Sequence, residues 1–257
     1  MQLTPQIALI GSGAIGLSNP YDCHVYLIES DGELALVDAG VGLDTARLLD
    51  NLRADGYDPR AVRYLLLTHS HADHGGGAAA LREATGCRIV GSEPELALLA
   101  RGTDEQLGLI AAKKNGTYPA DYVYPHCEGD IIVTTGDEFA LGDCRIRAIV
   151  VPGHSIAMTC YLAVWPDYRA LFAGDAVFLG GFISLINVPG SDLAAYRAAL
   201  PNLERLDVDG LFPGHQLFVV AGGQRHIDLA LDRMERSVIP NNAIAWLPPT
   251  PSSLPKG

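Results

Sequence analysis

The sequence predicts an α/β protein: two mixed β-sheets packed face to face, helices outside, and a functional edge where several strands end. Three observations carry this expectation. Short apolar runs repeatedly stop at one ligand-type residue, as Val62–Leu67 does before His69, Ile146–Val151 before His154, Ala170–Phe172 before Asp175 and Leu211–Pro213 before His215. Leu27–Asp38 and Tyr161–Asp175 echo one another: each reads strand, turn (Asp31-Gly32 or Pro166-Asp167), strand, then Asp, with a later strand ending in histidine. Between these runs lie segments of helical period, so each half of the chain reads as a sheet with helices on its outer face.

Taken in order, the first helix is predicted at Thr45–Asp55. The run GGGAAALREATG predicts a second at Gly75–Thr85, because Ala, Leu, Arg and Glu favour helix and Gly86 can close it. Further helices are expected at Pro94–Arg101, Asp192–Leu206 and Gln224–Arg236. In the fourth, Ser191 is the expected cap, and Leu193, Tyr196 and Leu200 share a face. No linker or low-complexity block divides the chain, so residues 1–247 are expected to form one domain and the Pro-rich residues 248–257 a tail.

Thr68–Gly77 reads THSHADHGGG, and His69-x-His71-x-Asp73-His74 places four potential metal ligands in six positions. A lone histidine is usually neither ligand nor base, but four such groups on a strand-to-helix turn reverse that reading. Imidazole with carboxylate suits zinc, or iron or manganese. In extended backbone, alternate residues point the same way, so His69, His71 and Asp73 are expected to converge, with His74 entering from the helix start toward a second ion. Gly75, Gly76 and Gly77 leave room where backbone passes close to the site. His154, Asp175 and His215, each at a strand end, supply the further ligands that a pair of ions needs.

With these motifs in this order, from Asp38 in LVDAG through HxHxDH to His154, Asp175 and His215, the chain resembles the metallo-beta-lactamase superfamily over nearly its whole length. The resemblance implies a four-layer αββα sandwich. It also implies His69, His71 and His154 on a first metal, Asp73, His74 and His215 on a second, and Asp175 bridging them. Asp38 would then support the ligand loop from behind; a strand-end Asp making a turn accounts for it equally well. Two divalent ions about 3.5 to 4 Å apart can activate a bridging hydroxide at neutral pH, with Asp73 orienting it and relaying its proton. Ser70 and Ser155 lie in no G-x-S-x-G elbow, so a serine nucleophile is not expected.

The expected function is therefore dinuclear, metal-dependent hydrolysis of a small ester, lactone, thioester or amide. The alternatives are a mononuclear iron oxidoreductase of the persulfide-dioxygenase kind, a phosphodiesterase, a beta-lactamase-like activity, and a metal-stabilised binding protein without turnover. Within the resemblance, the bridging Asp175 departs from true metallo-beta-lactamases, and the 42 residues after His215 fall short of the glyoxalase II helical region. Phe178 stands where the acyl-homoserine lactonases carry a pocket tyrosine. A full seven-ligand set departs from one-iron persulfide dioxygenases, and the first motif lacks the Glu of flavodiiron reductases.

A net charge of -12 argues against a nucleic-acid substrate. A small molecule is the expected partner, with a homo-oligomer compatible with the sequence. Cys23, Cys87, Cys127, Cys144 and Cys160 are scattered without C-x-x-C spacing and read as reduced core thiols. The first residues lack the basic start and long apolar stretch of a leader or membrane span, which predicts a cytoplasmic protein. Gly11–Gly16 fits G-x-G-x-x-G, but no second nucleotide-binding feature follows, so it reads as a loop. Asp104–Glu128 and Val177–Val188 are expected to shape the substrate pocket through Tyr118, Tyr122, Phe178 and Phe182, ordinary aromatic packing being the alternative. His24 reads as a core or pocket-edge histidine, and His126 and His226 as structural.

Overall fold

The computed structural model describes residues 1–243. The predicted boundary at 247/248 and the Pro-rich tail lie outside the described residues. The first sheet holds β1 (Gln2–Thr4), β2 (Ile7–Gly11), β3 (Val25–Ser30), β4 (Glu33–Val37), β5 (Val62–Leu66), β6 (Arg88–Gly91) and β7 (Ile131–Ile132) in that spatial order. The second holds β8 (Glu138–Leu141), β9 (Cys144–Val150), β10 (Thr159–Val164), β11 (Arg169–Gly174) and β12 (Gly210–Pro213), also in sequence order. Both are mixed. The predicted echo is visible in the pairing: β3 and β4 are antiparallel and β4 runs parallel to β5, just as β10 and β11 are antiparallel and β11 runs parallel to β12.

The helices are α1 (Thr45–Ala54), α2 (Ala72–Gly75), α3 (Ala78–Thr85), α4 (Glu93–Arg101), α5 (Leu109–Asn115), α6 (Leu193–Ala199) and α7 (Gln224–Glu235). Three buried apolar clusters correspond to the three interfaces of a helix–sheet–sheet–helix stack. Tyr26 and Ile28 point inward with Tyr161, Phe172 and Phe212. Val25, Leu27 and Leu36 point outward onto Leu48, Leu52 and Leu81 of α1 and α3. On the other sheet, Leu162, Leu171 and Leu211 meet Tyr196 and Ile227 of α6 and α7. This is the two-periodicity of strands buried on both faces, and each large side chain so buried contributes about 1.5–3 kcal/mol.

Two tyrosines pin the sheets together where the ligand-bearing strands end. Tyr26 on β3 donates to the Pro213 carbonyl at the end of β12 (2.8 Å), and Tyr161 on β10 donates to the Leu67 carbonyl just beyond β5 (2.9 Å). The four strand ends named in the sequence are thereby held at one edge.

Several elements depart from expectation. The single helix predicted at Gly75–Thr85 is two, α2 and α3, broken around Gly76 and Gly77, where backbone must pass against Val41 and Ala39 carbonyls. The helix predicted to reach Leu206 ends as α helix at Ala199, and Pro201, which has no N–H to donate, lies in a short 3-10 turn at Leu200–Leu203. Its cap is Asp192, whose Oδ1 accepts from Ala194 and Ala195 N–H; Ser191 instead donates to the Gly153 carbonyl. Helix α5 was not foreseen. Gly11–Gly16 runs from β2 into turns, with no helix at its end, consistent with a loop. All five cysteines are free, four of them buried. No helix among the described residues is long and apolar enough to cross a membrane.

Candidate metal centre

The ligand loop leaves β5 in extended backbone and turns helical at Ala72, so alternation stops after His71. Three imidazole nitrogens converge: His71 Nδ1 lies 3.0 Å from both His69 Nε2 and His154 Nε2. The far nitrogens are committed elsewhere. His154 Nδ1 donates to the Ser184 carbonyl (2.9 Å), and His69 Nδ1 meets Thr68 Oγ1 (3.0 Å), whose own proton goes to Asp38. These tautomers aim the lone pairs of His69 Nε2 and His154 Nε2 inward. Burial lowers all three imidazoles, His71 and His154 to about 4, which keeps them neutral and able to coordinate.

Asp73 does not join that trio, contrary to the expected convergence with His69 and His71. Standing in the first turn of α2, it groups with His74 and His215. Its Oδ2 lies 3.0 Å from His215 Nε2, which is 3.2 Å from His74 Nε2. Burial alone would raise the Asp73 carboxyl, but His74 and His215 hold it well below the usual carboxylate range. His74 Nδ1 donates to Asp38 Oδ2 (2.8 Å), so its Nε2 faces the group.

Asp175 lies between the two trios, with Oδ1 3.7 Å from His74 Nε2 and Oδ2 3.5 Å from His154 Nε2 and 3.8 Å from His215 Nε2. Its Oδ1 is buried and without a hydrogen-bond partner. A buried, orphaned carboxylate oxygen is costly unless a cation completes its shell, so the donor set fits divalent ions. Gly214 is required beside it: a Cβ there would stand 2.6 Å from Asp175 Oδ1 and 2.5 Å from His74 Cε1.

Behind the ligands, Asp38 accepts from Thr68 N–H (2.8 Å), Thr68 Oγ1 (2.8 Å) and His74, so it holds both strand end and ligand. A residue missed in the sequence does more of the same. Glu95 on α4, fully buried, accepts from Ser70 N–H (2.9 Å) and Ser70 Oγ (2.7 Å) through Oε2, and from Ser155 Oγ (2.5 Å) and Ala157 N–H (3.0 Å) through Oε1. One carboxylate thus ties the His69/His71 loop to the His154 loop. The two serines beside the histidines serve this clamp. The available signal was a glutamate at a position buried on its helix, beside Leu96 and Leu99.

A cavity of about 880 Å³ opens onto His71, Asp73, His154, Asp175 and His215. Tyr118 and Phe178 line it, and Tyr118 donates to Asp73 Oδ1 (2.8 Å). Tyr122 and Phe182 do not line it. Tyr122 is buried, donating to the Val41 carbonyl (2.9 Å), while Phe182 packs under the Arg233 guanidinium. Both are packing aromatics because their rings fill space between segments. His24 sits at the pocket edge, its Nε2 donating to the Gln216 carbonyl (2.8 Å) and its Nδ1 accepting from Ser12 (2.9 Å). His126 packs on Tyr124 and His226 accepts from Gly180 N–H, both structural.

A family model described as the metallo-beta-lactamase superfamily matches residues 18–215. An acyl-coenzyme A thioesterase of Gallus gallus is 27% identical over 84% of this chain and 79% of its own. A hydroxyacylglutathione hydrolase of Methylococcus capsulatus is 32% identical over 62% of this chain, and a lactamase-like protein of Penicillium aethiopicum 26% over 83%. The match spans only 50% and 58% of those two proteins' lengths. Among solved structures, a metallo-beta-lactamase from Cronobacter sakazakii is similar with a TM-score of 0.71 at 21% identity, covering 92% of this chain and 95% of the other. A subclass B3 metallo-beta-lactamase of Bradyrhizobium japonicum gives 0.69 at 23% identity, over 92% and 91%.

Proposed function

The chain belongs to the metallo-beta-lactamase superfamily, a superfamily of metal-dependent hydrolases, and from that membership we propose that it cleaves a small ester, lactone, thioester or amide at two divalent metal ions, zinc first among them. The observation that carries this reading is the pair of donor trios with the orphaned Asp175 carboxylate between them, opening on one cavity. His69, His71 and His154 would hold one ion, Asp73, His74 and His215 the other, and Asp175 would contact both. Two ions bound there supply Lewis acidity, making water nucleophilic at neutral pH and polarising a carbonyl.

The chain's own residues do the rest. The neutral imidazoles of His69 and His154 present fixed lone pairs, because Thr68 and Ser184 hold the opposite nitrogens, and Asp38 holds Nδ1 of His74 so that its Nε2 faces the second group. Asp73, ionised and steered by the Tyr118 hydroxyl, faces the cavity where it can take a proton from water or pass one to a leaving group. Cys23 is withheld from this chemistry: burial pushes its thiol up to about 12.

The test is metal-reconstituted protein assayed on ester, lactone, thioester, phosphodiester and beta-lactam panels, with metal content counted. Two ions per chain with carbonyl hydrolysis is expected. One iron with oxygen consumption would replace the reading by an oxidoreductase, and full metal without turnover by a binding protein.

A further inference from the structure

Resting on that hydrolase reading, we infer that the cavity receives a neutral, apolar acyl chain against helix α5, and that anionic groups of the substrate stay outside this lobe. The α5 region contributes Leu107, Gly108, Ala111, Ala112 and Asn115 to the cavity wall. Leu107 and Gly108 belong to the turn that enters α5, while Ala111, Ala112 and Asn115 stand at i, i+1 and i+4 on one face of the helix itself, turned toward the cavity. Most of these side chains are small or apolar, so the wall is set back and presents chiefly carbon. Facing it are Phe178, Ile186 and Val188.

The two walls are in contact. Gly108 has φ +70°, and a Cβ there would meet Val188 Cγ1 at 3.0 Å, so this closure needs a residue with no side chain. Charge is arranged to match. The lysines of α5 do not line the cavity: Lys113 pairs with Asp104 at 2.7 Å and Lys114 is exposed. No Lys or Arg is among the described residues that line the cavity, and of its carboxylates Asp73 and Asp175 belong to the metal centre. An anion buried in this lobe would lose its water without gaining a counter-charge, while each buried methylene strengthens binding roughly fourfold.

The experiment uses zinc-reconstituted protein. Binding of straight-chain alkan-2-ones from butanone to decanone is measured by calorimetry, and kcat/KM for thioesters of N-acetylcysteamine from acetyl to decanoyl. Matched thioesters whose acyl tail ends in a carboxylate are included. Affinity and kcat/KM should climb with chain length before levelling, and the carboxylate-tailed thioesters should fall at least about tenfold below their methyl-ended partners. Ala112→Phe should lower the decanoyl-to-acetyl ratio and level the series at a shorter chain, and Val188→Ala should extend it. A flat series, equal turnover of carboxylate-tailed substrates, or two variants that leave the ratio unmoved would overturn the assignment while leaving the hydrolase intact. Ketones that bind with length dependence, with no thioester cleaved, would support the lobe and remove thioesters from the proposed substrates.

Discussion

Replacing Glu95 separates the ligand loops without touching a ligand. Its carboxylate accepts four hydrogen bonds in a fully buried position, two from the backbone N–H groups of Ser70 and Ala157 and two from serine hydroxyls. In Glu95→Leu the hydroxyls can rotate toward other acceptors, but the two N–H groups cannot. Each orphaned buried donor costs about 1–3 kcal/mol, so the loss is about 2–6 kcal/mol against a total stability of roughly 5–15 kcal/mol. Glu95→Gln keeps one acceptor oxygen and therefore orphans one N–H, a loss of about 1–3 kcal/mol. Urea unfolding at fixed zinc, with zinc retention after dialysis against a weak chelator, reads both effects. The expected order is wild type, then Gln, then Leu, for stability and for zinc retention. If Glu95→Leu unfolds within about 0.5 kcal/mol of wild type and keeps its zinc, the clamp does not hold the loops and the reasoning is wrong.

Asp73→Ala should abolish turnover and lower metal content from two ions per chain toward one, counted by elemental analysis; near-normal activity would refute the proposed mechanism. Tyr118→Phe removes the hydrogen bond to Asp73 Oδ1; a bond to a charged group is worth about 1.5–3 kcal/mol. Its kcat should fall about tenfold or more, and an unchanged kcat would show that the hydroxyl does not steer the carboxylate. Burial holds the His24 imidazole down at about 4, whereas an unfolded histidine titrates near about 6.5. The unfolded state therefore binds the extra proton, and this contribution is intact above about pH 6.5 and lost as pH falls toward 4. Relative to His24→Gln, wild type should lose about 2 kcal/mol more stability between pH 7 and pH 5; parallel curves from urea titrations would contradict the shift.

Much of the site was legible because its ligands sit at strand ends, and an apolar run followed by His or Asp is a local pattern. The paired strand–turn–strand–Asp segments likewise foretold two similar sheet halves, since period and turn residues are written locally. Where backbone packing decides, the local pattern failed. GGGAAALREAT reads as one helix, but the close passage of Val41 and Ala39 carbonyls breaks it at Gly76 and Gly77. Asp73 by alternation belonged with His69 and His71; the helical turn beginning at Ala72 sends it to His74 and His215 instead.

The sequence by itself determined the family, the two-sheet architecture and the chemical identity of the donors, because ligand type and spacing are properties of the chain. Only the tertiary structure decided that Glu95 binds two loops whose serines, Ser70 and Ser155, are 85 residues apart, and which aromatics meet the cavity. Those are relations between segments distant in the chain, fixed by how two sheets stack and how the surrounding loops fold over their edge. Tyr118 and Tyr122 are four residues apart and chemically identical, yet one hydroxyl reaches Asp73 and the other a backbone carbonyl.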